Sequence, residues 1–455
     1  MKRRLIRFGI MLFMAVNLSS QQKTPLVITG ATLIDGKGGP PLPQAVVVME
    51  GVRITAVGRR GAIKIPPEAR IVDATGKYLL PGLIDTHVHL EFIGLSDVGE
   101  LPAAWDSPDR TRELIRINAR LDLIGGITTV RDLGSTELVL QVRDEIDAGQ
   151  VPGPRIMAAG MQLVKKTAGA TNARIFLDYD GPDDARAKVR QLAALRVDLV
   201  KIRLTHQRAV PSLEEVRAIV DEAHKLGLRT TVHTDVPADD LIRLAIDAGA
   251  DGIEHNAPLR VKDESWLGEM ARKGIALMAG SGEFYVQRFE DPGFGDPIGP
   301  AAARLFPDEV LAALRQGADT LRNQTAQMKA SGWDAEQVRA RFIRETDRAR
   351  KAGVLLLFGT DAGAYLAIHG EEYKALYGET KMGSSAAEVI LMATRDAAKA
   401  LGKEKDIGTV EAGKLADLII TEADPLTDIR NLHLIYRVIK GGVVYDPAEL
   451  LRPPR

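Results

Sequence analysis

The chain of 455 residues contains no cysteine. A disulfide framework and a lipid-anchored cysteine are therefore excluded, and the absence is compatible with an oxidising compartment. Net charge is close to absent as well: 60 basic residues stand against 61 acidic ones, a balance of −1. Nothing draws such a chain generally to nucleic acid, and it has neither a basic arm nor an RNA-binding motif. Beyond the N-terminus no apolar run reaches the roughly eighteen residues that a membrane span needs. Low-complexity tracts and short solenoid repeats are lacking. So are the glycine-rich loop of a dinucleotide fold and the GxSxG elbow of a serine hydrolase.

What is present begins with a basic start, Lys2, Arg3, Arg4 and Arg7, followed by an apolar run from Phe8 to Val16 and then Asn17, Leu18, Ser19 and Ser20. This is the order of a secretory signal peptide over residues 1–20, too short for a permanent span. The expectation is a secreted or periplasmic protein whose mature part starts near Gln21.

Residues 26–34, 45–50 and 52–57 are rich in Val, Ile and Thr and are parted by glycine-containing turns, so they read as strands. Residues 416–421 and 434–444 have the same character. The expectation is a small accessory β-sandwich built from both chain ends, residues 21–80 and 404–455. Between them, residues 81–403 alternate short apolar strands with amphipathic stretches, which argues for parallel βαβ units. Eight strands are expected, at 83–88, 126–131, 155–159, 198–203, 229–234, 252–255, 275–279 and 354–360. The fold class that follows is α/β, a (β/α)₈ TIM barrel with insertions. A doubly wound open sheet is the alternative.

Only eight histidines occur. His87 and His89 stand two apart at the end of the first expected strand, where one face presents both imidazoles. Other strands carry Lys201, His233, His255 and Asp361 toward their C-terminal ends, the end at which barrels build active sites. Taken singly, each has an ordinary explanation: a satisfied histidine at a strand end, or an aspartate capping a helix. A lysine on a buried strand is harder to explain, because an unpaired buried ammonium is costly. Five of eight strands offering a metal-type ligand at one rim point to chemistry with divalent ions.

The stretch Leu80-Pro81-Gly82-Leu83-Ile84-Asp85-Thr86-His87-Val88-His89 resembles the first-strand signature of the amidohydrolase superfamily. Gly126-Ile127-Thr128-Thr129-Val130-Arg131-Asp132 is similar to its second strand, and Gly359-Thr360-Asp361-Ala362-Gly363 to its eighth. The segment from Gly408 to Asp417 resembles its return into the accessory domain. The resemblance covers almost the whole mature chain and is nearest to the imidazolonepropionase-like proteins and the metal-dependent prolidases and carboxypeptidases. It implies two divalent ions, zinc foremost. His87, His89 and Asp361 would hold the more buried ion, and His233 and His255 the more exposed one. Lys201, carboxylated by carbon dioxide, would bridge them. A free ammonium there would repel the ions, whereas an N-carboxylate would bind both.

The expected reaction is hydrolysis of a small amide, a dipeptide or an N-acyl amino acid, by a hydroxide bridging the ions. Asp361 acts as general base and then acid. A lactonase or esterase is chemically close. A mononuclear deaminase lacks the bridging lysine and places a glutamate where this chain has Val236. A non-catalytic secreted binding protein would not need the ligand set. Arg203, Arg208, Tyr365 and His369 are candidate substrate contacts, the arginines for a carboxylate. The long segment 162–184 is read as a loop, and Phe284, Tyr285, Phe289 and Phe294 as part of a lid. The expected partner is a small molecule, with no nucleic acid and no permanent membrane span, and a homo-oligomer is compatible with this composition.

Overall fold

Strict alternation builds the two chain ends. Leu26–Leu33, Leu42–Glu50 and Arg53–Arg59 pair antiparallel in sequence order. Within the second of these strands Val47 and Met49 join one apolar cluster, while Val46 and Val48 join another. This is the two-residue period of a strand buried on both faces. From the far end of the chain, Leu418–Thr421 pairs antiparallel with Tyr78–Pro81, and Ile435–Lys440 and Val443–Tyr445 follow. Both ends thus share a single eight-stranded sheet, where the sequence suggested a sandwich. Ile419 and Val438 point from this sheet into the main core, and Leu418, Ile420 and Ile439 into the sheet's own cluster.

These features come from a computed structural model that describes residues 24–452 apart from 96–104, 106, 169–173, 235–238, 256–264, 279–297, 333 and 365. Residues 1–20, expected as a signal peptide, the aromatic segment expected as part of a lid, Val236 and Tyr365 lie outside the described residues. No helix among the described residues is long and apolar enough to cross a membrane.

Eight parallel strands occupy the middle of the chain: β1 Leu83–Val88, β2 Ile127–Asp132, β3 Arg155–Ala158, β4 Leu199–Leu204, β5 Arg229–Thr234, β6 Gly252–Glu254, β7 Ala276–Met278 and β8 Leu356–Leu357. Their pairing runs as two open arrays. One is β1-β2-β3. The other runs from β4 to β8 in order and is extended beyond β4 by Gln162–Lys165 and Phe176–Tyr179. Single backbone bonds cross between the arrays. Asp198 donates to the Ala158 carbonyl at 2.8 Å, Thr86 to Phe358 at 3.2 Å and Asp361 to His87 at 2.8 Å. The last two bonds place the end of β1 beside the segment after β8.

The intervening helices follow from capping and from an apolar stripe. Leu213–Lys225 begins on a capping box, in which Ser212 and Glu215 satisfy each other's backbone N–H. It buries Val216, Ile219, Val220 and Ala223, spaced for one helical face.

Two expectations need correction. The segment 162–184 is no loop, because it contains the two short parallel strands named above, and its Tyr179 is buried. The eighth strand was expected over 354–360, yet only Leu356–Leu357 pair as a strand. Past them the chain leaves extended geometry, reaching φ +59° at Asp361.

Candidate metal centre

Strand β1 places Asp85 and His87 on one face, and His89 follows just past its end. The Asp85 carboxylate accepts from the His87 N–H at 2.9 Å, and from the Thr360 hydroxyl at 2.6 Å and N–H at 3.2 Å. One buried carboxylate thereby fixes the first histidine relative to the segment that carries Asp361. Burial pushes Asp85 up to about 6.

Three side chains converge on one point. Asp361 Oδ1 lies 3.4 Å from His87 Nε2 and 3.2 Å from His89 Nε2. The outward nitrogens of both rings are engaged elsewhere. His87 Nδ1 stands 2.9 Å from Glu254 Oε2, and His89 Nδ1 stands 3.2 Å from the Gly134 carbonyl. A proton on each Nδ1 leaves the Nε2 lone pairs facing the Asp361 oxygen, an arrangement that calls for a cation between them. Burial, then the Lys201 charge, press the His87 imidazolium down to about 3. For His89 burial acts in the same direction, but bonding to Asp361 and its charge win and raise it. Asp361 is held well below the usual carboxylate range: burial opposes, and the His87 charge and the His89 bond prevail.

His233, the penultimate residue of β5, and His255, just past β6, form a second pair, with Nδ1 and Nε2 2.9 Å apart. The His255 ring centre is 4.9 Å from that of His87, so the two pairs adjoin. His255 adopts φ +64°. Both His255 and Asp361, expected ligands, therefore sit in the left-handed region that non-glycine residues seldom occupy, a conformation that collects at functional sites.

Lys201 completes the rim from β4. Its residue is 1% exposed, and its Nζ reaches no hydrogen-bond partner among the described residues. Burial drives the ammonium down to about 7, and the nearby charges include Glu254 and Asp361 as well as Arg131. An unsatisfied, enclosed ammonium is the costly state, and a pKa near neutrality leaves an amine able to react with carbon dioxide. The donor set of imidazoles, one carboxylate and a carboxylatable lysine fits divalent ions of the zinc type.

Sequence reasoning passed over Glu254. It accepts from His87, from Arg131 at 2.7 Å and, through a short contact, from the Thr231 hydroxyl. Although burial opposes it, the Arg131 charge first among the favourable effects holds its carboxyl well below the usual range. The available signal was a charged residue in an otherwise apolar strand, the same signal that singled out Lys201.

The candidate substrate contacts are not gathered in the same way. His369 is 1% exposed, with Nδ1 2.8 Å from Asp122 Oδ1 and Nε2 3.4 Å from the His89 carbonyl. It buttresses the site from within rather than facing a substrate. Arg208 lies over the Phe176 ring and pairs with Asp178 at 3.3 Å, its side chain 8% exposed. Arg203 lies over the same ring, 5.7 Å from its centre.

Comparison with known proteins identifies the family. The model of the amidohydrolase family matches residues 78–444. An imidazolonepropionase of Mesorhizobium japonicum is 26% identical over 432 residues, covering 90% of this chain and 92% of its own. An N-acyl-D-glutamate deacylase of Alcaligenes xylosoxydans xylosoxydans is 28% identical over 344 residues, 73% of this chain but only 56% of the deacylase. Among solved structures, a Xaa-Pro dipeptidase with methionine bound in its active site superposes with a TM-score of 0.72 at 27% identity. That match covers 93% of this chain and 100% of the dipeptidase.

Proposed function

From the premise that the chain belongs to the amidohydrolase family and is a hydrolase acting on carbon–nitrogen bonds, we propose that it cleaves the amide bond of a small carboxylate-bearing substrate, a dipeptide or an N-acyl amino acid, at a centre for two divalent ions. The observation that carries this reading is the enclosed Lys201 amine, without a hydrogen-bond partner among the described residues, near His87, His255 and Asp361. Carboxylated, it would supply the bridging anion that the two histidine pairs need. We read the two strand arrays as the (β/α)₈ barrel that presents these ligands at one rim, and the shared terminal sheet as the accessory domain.

Divalent ions at this rim would acidify a water and polarise a carbonyl oxygen. The chain's own residues do the rest. Asp361, 23% exposed while His87 and His89 are buried, reaches the solvent side and is the group proposed to take the water's proton and return it to the leaving nitrogen. Its depressed pKa keeps it an acceptor at neutral pH. Amide cleavage needs this return more than ester cleavage does, because an amine leaves poorly unless protonated. Arg203 and Arg208, which both lie over the Phe176 ring beyond Lys201, are the arginines proposed for a substrate carboxylate. The deacylase and dipeptidase relatives support an amide substrate with a carboxylate. The basic start and apolar run of residues 1–20 support export to a secreted or periplasmic location.

The test is a panel of dipeptides, N-acyl amino acids and lactones given to zinc-reconstituted enzyme. Amide turnover is expected, with Asp361→Asn lowering kcat by about 10²–10⁴-fold, the range for a lost general acid–base, in protein that still binds metal. Rapid lactone hydrolysis with no amide cleaved would overturn the substrate assignment.

A further inference from the structure

A second set of ligand-type side chains lies behind the rim, against the backbone of His89. Asp122, in helix Pro108–Ile124, meets His369 and Glu372, the latter opening helix Glu372–Lys381. Their exposures are 0%, 1% and 2%. One ligand atom from each lies within 4.8 Å of the other two. Part of the set is satisfied: Asp122 Oδ1 meets His369 Nδ1 at 2.8 Å, and Glu372 Oε1 accepts from the Gly370 N–H at 2.8 Å. The remaining oxygens, Asp122 Oδ2 and Glu372 Oε2, are buried, and no donor of a described residue reaches them.

The charge balance is unfavourable as it stands. Burial is the first cause that pushes both carboxyls up. The charges of Asp85 and Asp132 add to it on Asp122, and that of Asp122 on Glu372, whereas the contact between the two carboxyls lowers Asp122 and raises Glu372. Two enclosed carboxylates cannot both ionise without a cation or a proton between them. One imidazole and two carboxylates are a donor set for zinc and similar ions, and together with a divalent ion they are electrically neutral. The burial leaves no opening for substrate, as in a structural rather than a catalytic site.

We propose that Asp122, His369 and Glu372 form a buried structural site for one divalent cation, separate from the catalytic rim. It ties helix Pro108–Ile124 to the segment after β8. Through His369, 3.4 Å from the His89 carbonyl, it also steadies the backbone of a rim ligand.

Anomalous diffraction from zinc-loaded crystals of the full chain, collected on both sides of the zinc edge, tests this directly. A peak enclosed by the three side chains is expected. Absence of a peak there overturns the site and leaves the two carboxyls sharing a proton. Elemental analysis gives a second reading: Asp122→Asn/Glu372→Gln protein should hold one zinc fewer per chain than the parent. Equal content in folded protein overturns the proposal too. Because this reading is a difference, it stands whatever number of ions the rim holds. If the variant does not fold, the diffraction from the parent protein decides.

Discussion

At the scale of single residues, the rim is held by buried carboxylates. Glu254 is the clearest case, since His87, Arg131 and Thr231 all converge on it. Glu254→Ala would leave the Arg131 guanidinium buried without its carboxylate, and breaking such a pair costs about 3–5 kcal/mol. Urea unfolding of the metal-free protein measures this, and a loss below about 1 kcal/mol would show that water or Thr86 compensates. The sign of the pH dependence follows from a folded pKa held well below the ordinary 4.5. The carboxylate's stabilisation is complete above the unfolded value and is lost as pH falls through the folded one. The gap between parent and Glu254→Gln protein should therefore be constant near neutrality and shrink only in acid below about 4.5. Residues of this kind were hard to read in the sequence. Lys201 stands out because a buried strand gives an ammonium no ordinary task, and His87 and His89 because they recur with other ligand-type residues at the ends of the expected strands. Glu254 and Asp85 are partners to other groups, and a partner shows its purpose only once the fold brings the other group near.

At the scale of elements, function concentrates where strands stop. The bounds of β1 and β5 agree with the expected residues 83–88 and 229–234. The end of β8 did not, because the apolar run from Val354 to Phe358 reads as strand while Gly359, Thr360 and Asp361 depart from it. The two strands within 162–184 were missed for another reason: each has four residues, too few for a period to emerge beside Lys165 and Asp178. The turn after Asp361 is also where a small change should have a large effect. Gly363 has φ +96°, and a Cβ there would lie 2.3 Å from the His89 carbonyl oxygen. Gly363→Ala must therefore shift His89 or the turn. Disturbing the support of a ligand typically costs about 10–100-fold in metal affinity. Chelator competition should show a loss of that order, and unchanged affinity would mean that His89 does not ligate.

At the scale of the whole molecule, the separation of the ligands along the chain is the main feature. His87 and Asp361 are brought together by the bonds between the end of β1 and the segment after β8, with the chain ends joined in one sheet beyond them. The alternation of strands and helices made this architecture legible, since it brings strand ends to one rim. The same pattern says nothing about which side chains at that rim pair with each other, so the engagement of Arg208 with Asp178 and of His369 with Asp122 emerged only from packing. The central claim is that Lys201 is carboxylated and bridges two ions. Carbon-13 NMR of the enzyme reconstituted with zinc and labelled bicarbonate tests it most directly. A carbamate resonance is predicted in the parent protein and absent from Lys201→Ala, which should also lose nearly all activity. Fully active, zinc-loaded protein with no carbamate signal would contradict the account.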